Sequence, residues 1–348
     1  MSKKTNIAVS VIIPCFNASK TIRRCWNSLR NQTLSIENMQ CLFVDDASND
    51  GGATWRCLQE IEKEKPECVG IIHLDKNMRQ GGARNAALPY VMGEYLQFID
   101  ADDALRLNML QKLYQMAEQY KTDIIQFNHC LEINGQHVAL KDSKENRVFT
   151  VNEDYRCELL KGQALTCGCT NKCYRTEFVR EAGTQFAEHC FYEEPLFVFP
   201  LFLHLKKYMT ITDAPYIYYV HPGSTATSHL ASSILDHPTV QLKTLQRCME
   251  EPVLYQNYRD DIARYFLWTF IGETVLWCVE KEGAVLPLAY FQEMQTVCQN
   301  LFPDWHDIAE RNGWSEAFAH ILENCRRSFY SQKELDDWIH EAYTVLHE

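Results

Sequence analysis

The fold class this sequence predicts is α/β: a mixed, mostly parallel sheet flanked by helices, with a helical C-terminal region. Three observations predict it. In the first half, short β-rich apolar runs alternate with amphipathic segments, the pattern of strand–helix–strand units. Several of those runs end in Asp or Pro, where a loop begins. From about Ser232 onward the texture changes to long stretches of helical period. The expected division is therefore a first domain over residues 1–231 and an α-helical region over 232–348.

The strands read in order are Val9–Pro14, Cys41–Asp46, Gly70–Asp75, Glu94–Asp100 and Asp123–Ile133. Between the first two, Ile22, Cys25, Trp26 and Leu29 recur at helical spacing after the cap-type residues Asn17 and Ser19. A second helix follows the turn Asn49-Asp50-Gly51-Gly52, with Trp55, Leu58 and Ile61 inward and the charged run Glu60–Lys65 partly solvated. In the C-terminal region Ile262, Tyr265, Phe266, Phe270 and Trp277 share one broad helical stripe, whose expected use is packing. No repeat or low-complexity tract interrupts the chain.

Composition narrows the function. A chain of 348 residues, 46% hydrophobic and 23% charged, has material for a large core and an appended unit. With 34 basic against 46 acidic side chains the net charge is -12, which opposes binding of a bare nucleic acid backbone. Nucleic acid is not an expected partner. The stretch Met1–Ala8 lacks the length and flanks of an export signal, and no apolar stretch reaches the roughly 18 residues that span a bilayer. The expected location is cytoplasmic, including the inner face of the membrane. In that compartment the 15 cysteines are expected as free thiols, and Cys167, Cys169 and Cys173 lack the paired spacing of a zinc knuckle.

Three blocks carry chemistry. Phe98-Ile99-Asp100-Ala101-Asp102-Asp103 delivers three carboxylates at the exit of a strand, the end of an open α/β sheet where ligands bind. Carboxylates two residues apart there suit a hard cation, Mn2+ or Mg2+, that keeps positions open for phosphate oxygens. The plain alternative is that Asp102 or Asp103 caps a helix starting near Leu107. Val44-Asp45-Asp46-Ala47-Ser48 ends another strand; one carboxylate there could accept the N3–H of a uracil-like base, or Asp46 and Ser48 could simply bond nearby backbone N–H groups. In Asn77–Asn85, NMRQGGARN, Gly81 and Gly82 allow close backbone approach. Arg84 there offers a donor fork for a carboxylate or a diphosphate, or takes part in a structural ion pair.

Taken in order, the blocks PCFN, VDDAS, GGARN and DADD resemble the family 2 glycosyltransferases, which have the GT-A nucleotide-sugar-binding fold. The resemblance implies that residues 1–231 form a GT-A catalytic domain. It implies a base pocket at Pro14, Cys15, Phe16 and Asn17, with Phe16 in place of the usual Tyr and the stacking ring kept. Asp46 and Ser48 then belong to the donor site. Asp100 and Asp102 meet ribose and metal, and Asp103 supports them from behind. Arg79 stands where the family often has Gly, so its role is open. The likeness continues through Asn171–Arg175 and Phe186–Phe197, where the family's general base is an Asp; Glu194 occupies that position, with Glu193 beside it as the fallback. Both could instead begin the apolar helix Leu196–Leu205. Tyr216, Tyr218, Tyr219, His221 and Ser224 resemble the Tyr-rich strand and following loop, with His221 a candidate ligand of metal or diphosphate.

The function this implies is inverting, metal-dependent transfer of a sugar from a nucleotide-diphosphate donor, expected to be a UDP-sugar. The expected acceptor is a glycan or a lipid-linked molecule, in cell-surface polysaccharide synthesis. The C-terminal region carries no motif of its own, and acceptor shaping, self-association as a homo-oligomer and peripheral membrane association all remain open to it. Two rivals stand beside this reading: a noncatalytic nucleotide-sugar- or glycan-binding relative, which the Glu at 194 invites, and a sugar nucleotidyltransferase, which lacks its glycine-rich loop in PCFNASK.

Overall fold

The computed structural model describes residues 7–140, 142–162, 164–220, 233–281, 283–312, 314–324 and 326–347. The chain forms two compact units, Met1–Asp154 with Leu165–Pro222, and Tyr155–Ala164 with Gly223–Glu348. The division read from the sequence, 1–231 and 232–348, differs in that Tyr155–Ala164 belongs to the second unit, which resumes at Gly223.

In the first unit, β1 (Val9–Cys15), β2 (Met39–Asp45), β3 (Val69–His73) and β4 (Tyr95–Phe98) lie parallel in the order β3-β2-β1-β4. Every residue of β1 and β2 is buried, as strands covered on both faces require. The connections are helices α1 (Ile22–Arg30), α2 (Ala53–Glu64) and α3 (Arg79–Ala87). On α1 the predicted stripe Ile22, Cys25, Trp26 and Leu29 is buried, while Arg23 faces Glu60 and Glu64 of α2. The predicted caps are corrected: α1 begins after Thr21 without a side-chain cap, and Asn17, at φ 52°, spends its side chain on Asn49.

Beyond β4 the chain adds β5 (Ala104–Leu105), α4 (Met109–Tyr120), β6 (Ile124–Gln126), β7 (His129–Ile133), β8 (Gln136–Ala139) and β9 (Arg147–Thr150). It continues with α5 (Glu153–Leu160), β10 (Lys172–Arg175), α6 (Thr176–Ala182), α7 (Glu194–His204), β11 (Lys207–Thr210) and β12 (Tyr216–Tyr219). The large sheet runs β3-β2-β1-β4-β10-β6-β11-β9, with β10 antiparallel to both neighbours, and a small sheet runs β5-β12-β7-β8. The single strand expected over Asp123–Ile133 is therefore two, in different sheets. The backbone N–H of Phe127 donates to Asn171 and that of Asn128 to Asp213, while the buried Asn128 amide donates to Ser143 O and Thr212 O at 3.1 Å each. Those bonds carry the chain out of one ladder and into the other.

The second unit holds α8 (Asp236–Met249), α9 (Pro252–Asn257), α10 (Arg259–Leu267), α11 (Thr274–Glu280), α12 (Leu288–Leu301), α13 (Trp305–Asn312), α14 (Glu316–Asn324) and α15 (Gln332–His347). A π-helical turn, Trp268–Glu273, joins α10 to α11, so Arg259–Glu280 is one continuous 22-residue run. Its most apolar window has a mean hydropathy of 1.2, long and apolar enough to cross a bilayer, which corrects the sequence reading. Sixty-one per cent of that window is buried within the protein. Ile262, Phe266, Phe270 and Ile271 spend their apolar surface on packing.

Candidate active site at the strand ends

Because β1, β2 and β4 are parallel neighbours, their carboxyl ends open at one edge of the sheet. Pro14 is buried at the end of β1, and the ring of Phe16 just beyond it is 47% exposed. The Asn17 backbone N–H donates to Ser48 Oγ at 2.9 Å, and the side chains of Asn17 and Asn49 bond at 2.8 Å. These bonds tie the loop after β1 to the loop after β2. At the end of β2, Asp45 accepts the Ser48 N–H and meets His73 Nδ1 at 2.9 Å. Asp46, 2% exposed, accepts the Met78 N–H at 2.6 Å, and burial raises its pKa against the pull of the Met78 and Arg79 N–H groups. Asp46 thus binds the loop before α3 and Ser48 the loop after β1, each accepting a backbone N–H 31 or 32 residues away, while Asp45 accepts the N–H within the turn itself.

Beyond Met78, α3 packs tightly on the segment before α7. A Cβ at Gly81 would stand 2.0 Å from the Ala187 carbonyl oxygen, so only glycine allows this approach. Asn85 fastens the same contact, donating to Phe186 O at 3.0 Å and accepting the Phe186 N–H at 2.9 Å. The stacked rings of Phe186 and Phe197, 4.2 Å apart, lie edge-on to Phe98 of β4 and fix the segment to the sheet.

That packing places Arg84 at the centre of the site, 2% exposed. Its guanidinium donates to Asp100 Oδ1 at 2.8 Å and to Glu193 Oε1 at 2.5 Å. Of the readings of Arg84, the structure displays the carboxylate contacts and the ion pair: each terminal nitrogen donates to one carboxylate. Glu193 as the fallback base is corrected. At 4% exposure and paired to Arg84, it is enclosed and does not face an acceptor. Burial raises the pKa of both Glu193 and Asp100, and the Arg84 charge opposes the rise.

Glu194, the next residue, is half-buried at the first turn of α7, and its Oε1 accepts the Cys169 N–H at 2.6 Å. It therefore begins the apolar helix, as the alternative reading had it, and still keeps an oxygen outside that bond. The Cys169 loop is built on Lys172, fully buried, whose ammonium donates to Gly168 O, Asn171 Oδ1 and Thr166 Oγ1 at 2.6, 2.8 and 3.1 Å. Burial depresses the Lys172 pKa to about 8.

Asp100 and Asp102 are both partly exposed. Asp103 is buried: Tyr216 donates its hydroxyl to Asp103 Oδ2 at 2.6 Å and accepts the Asp100 N–H at 3.1 Å, while the Tyr219 N–H reaches Asp103 Oδ1 at 3.0 Å. Burial and then the charges of Asp100 and Asp102 push Asp103 up to about 8. The helix-cap alternative fails, because α4 starts at Met109 behind Asn108, with no side-chain cap. Arg24 donates to the Asp102 carbonyl and lies 3.6 Å over the Tyr219 ring. Sequence reasoning assigned no task to Lys172, whose partners are the carbonyls and hydroxyl of its own loop, nor to the Tyr216 hydroxyl or Arg24, which act through partners far away in the chain.

Among the described residues no three His, Cys, Asp or Glu side chains form a ready-made metal cage. The pair Asp100 and Asp102 nonetheless fits a hard divalent cation, which takes one or two carboxylates and completes its shell with phosphate and water. His221, the third candidate ligand, lies outside the described residues, as does Ser224.

The sequence profile described as Glycosyl transferase family 2 matches residues 10–183. The poly(ribitol-phosphate) beta-glucosyltransferase of Bacillus spizizenii is 26% identical over 216 residues, 61% of this chain and 32% of that protein. The poly(ribitol-phosphate) beta-N-acetylglucosaminyltransferase TarP of Staphylococcus aureus strain N315 is 29% identical over 234 residues, 64% of this chain and 65% of that one. The chain thus spans from about a third to just under two thirds of the length of these two relatives. The cholesterol galactosyltransferase of Borreliella burgdorferi is 25% identical over 332 residues, 88% of each chain. Among solved structures, S. aureus TarS 1–349 in complex with UDP-GlcNAc superimposes with a TM-score of 0.66 at 21% identity, covering 97% of this chain and 90% of that one. The mixed sheet flanked by helices is the GT-A arrangement that the sequence blocks imply.

Proposed function

Because the chain belongs to glycosyl transferase family 2, we propose that it moves a sugar from a nucleoside-diphosphate donor, a UDP-sugar, to a hydroxyl of a glycan or lipid-linked acceptor in cell-surface polysaccharide synthesis. The single observation that carries this reading is the gathering of Asp102 and Glu194 about Asp100, which shares a buried arginine with Glu193, at the exits of parallel strands. A cleft with an excess of carboxylates suits a cation-bound donor and an acceptor that must lose a proton. Relatives named for poly(ribitol-phosphate) and cholesterol acceptors support a polymer or lipid hydroxyl as the recipient.

Phe16 stacks on the base, and Pro14, Asn17 and Ser48 shape its loop. Asp46 holds the edge of that pocket through Met78. Asp100 and Asp102 are the residues that would hold Mn2+ or Mg2+, whose chemistry there is to offset charge on the departing diphosphate. Glu194, oriented by the Cys169 N–H, takes the proton of the acceptor hydroxyl. The acceptor oxygen bonds to the anomeric carbon on the face opposite the diphosphate as the carbon–oxygen bond to the diphosphate breaks, with inversion. Glu193 acts through Arg84 as a positioning residue.

The test is a panel of nucleotide sugars with Mn2+, run on the wild-type chain and Glu194→Gln. Wild type should release nucleoside diphosphate from one donor, and Glu194→Gln should lose about 100-fold or more in kcat with donor affinity kept within about twofold. Donor binding without turnover in the wild type would instead identify a noncatalytic relative.

A further inference from the structure

The segment Asn77–Asn85 carries two arginines, and the structure gives them opposite surroundings. Arg84 is buried between Asp100 and Glu193, each terminal nitrogen donating to one of the two carboxylates. Arg79 is exposed and, among the described residues, makes no salt bridge and donates no side-chain hydrogen bond. Its guanidinium lies 4.4 Å over the ring of Phe191. Its backbone has φ 62°, a left-handed conformation that glycine adopts freely and a long side chain adopts under strain. Strain kept at one residue is a reason to ask what the side chain does there.

Its neighbours define what it faces. Met78, just before it, holds Asp46 through a 2.6 Å hydrogen bond and accepts the His189 N–H through its own carbonyl, so Arg79 stands beside the loop that follows β2. Phe191 belongs to the segment that runs into Glu194, and His189 and Tyr192 in that segment are also left-handed, at φ 59° and 60°. Arg79 thus joins the edge of the base pocket to the loop of the candidate base. The Arg79 charge acts on Asp46 at that edge, and the site beyond gathers Asp102 and Glu194 about Asp100, carboxylates that repel an entering diphosphate. A guanidinium whose face is held on an aromatic ring keeps the N–H groups of its edge for phosphate oxygens.

Resting on the donor reading above, we propose that Arg79 contacts the diphosphate of the nucleotide donor, with Phe191 holding its guanidinium in position. The diphosphate contact expected of Arg84 passes to the residue five positions earlier. Arg79 is then a donor-binding residue at a position where the family often has glycine, and Phe191 is its positioning partner.

The experiment compares wild type, Arg79→Gly, Phe191→Leu and the double variant at fixed Mg2+. Each is titrated with UDP, GDP and ADP by calorimetry, and with the parent nucleosides by ligand-observed NMR. Glycine removes the backbone strain, so Arg79→Gly is expected to fold at least as well as wild type. It should weaken the nucleoside diphosphate that wild type binds by about tenfold or more, while its parent nucleoside changes by less than about twofold. Phe191→Leu should weaken the diphosphate about two- to fivefold when Arg79 is present and not at all in the Arg79→Gly background. An unchanged diphosphate affinity in Arg79→Gly, an equal loss for diphosphate and nucleoside, or an equal cost of Phe191→Leu in both backgrounds overturns the assignment. If wild type binds none of the three diphosphates, the donor reading itself falls, and this assignment falls with it.

Discussion

The strand ends of the first unit and the helices of the second both bury charged side chains, yet they dispose of them differently. In the second unit His237, 2% exposed, meets Glu273 at 3.3 Å and Thr274 at 3.3 Å, and burial keeps its pKa below the usual imidazole value. There a single imidazole faces one carboxylate, with the Thr274 hydroxyl and the Gln241 amide beside it. At the strand ends Arg84 serves Asp100, Glu193 and Glu194 together, Asp102 and Asp103 add their charges to Asp100 or to each other, and Lys172 feels Glu194. The backbone differs in the same sense. Among the described residues all seven non-glycine residues with positive φ lie in the first unit. Five of them, Asn17, Ala47, Arg79, His189 and Tyr192, sit in the loops around the site or, for Arg79, at the start of α3. An excess of one charge together with strained loops distinguishes the site from a well-satisfied core, whereas a buried histidine alone does not.

The sharpest way to break that contrast is to remove one partner on each side. Glu193→Ala strands the buried Arg84 charge and should cost about 3–5 kcal/mol in urea unfolding. His237→Gln removes a neutral, locally paired ring and should cost about 1 kcal/mol. Equal costs would show that the two regions are organised alike. A smaller effect concerns Lys172, whose folded pKa of about 8 lies below its unfolded value near 10.5. Between those values the unfolded state binds the proton and the folded state does not, so the lysine's contribution is present at high pH and is lost as pH falls through 8. The stability of wild type relative to Lys172→Met should therefore rise as pH goes from about 8 to 10.5; a flat difference would mean that the ammonium is not the strained group.

Much of the first unit was legible in the sequence because its strands are uninterrupted apolar runs ending in acids, and α1 repeats its apolar face at helical spacing. Asp123–Ile133 misled, since two strands joined through Phe127 and Asn128 read as one apolar run until their hydrogen-bond partners, Asn171 and Asp213, are known. At the site, the blocks nominated Asp100, Asp102 and Glu194, and for Arg84 they left a phosphate contact and a structural ion pair both open. Whether an arginine is free or spent depends on Glu193, 109 positions away, which no local pattern encodes. Arg79 was visible only as a departure from glycine, and its left-handed backbone supplies the physical reason. The long helix Arg259–Glu280 was underestimated because its charged residues break the apolar run without breaking the helix.

The most direct test of the central claim is the rate of donor turnover by wild type and Asp102→Ala as Mn2+ is titrated. If the carboxylates at the strand ends hold the cation that meets the donor, wild-type turnover rises with Mn2+. Asp102→Ala should then lose about a thousandfold in kcat/KM while its unfolding curve stays in place. Turnover by Asp102→Ala at the wild-type rate and with the same metal dependence would contradict the account.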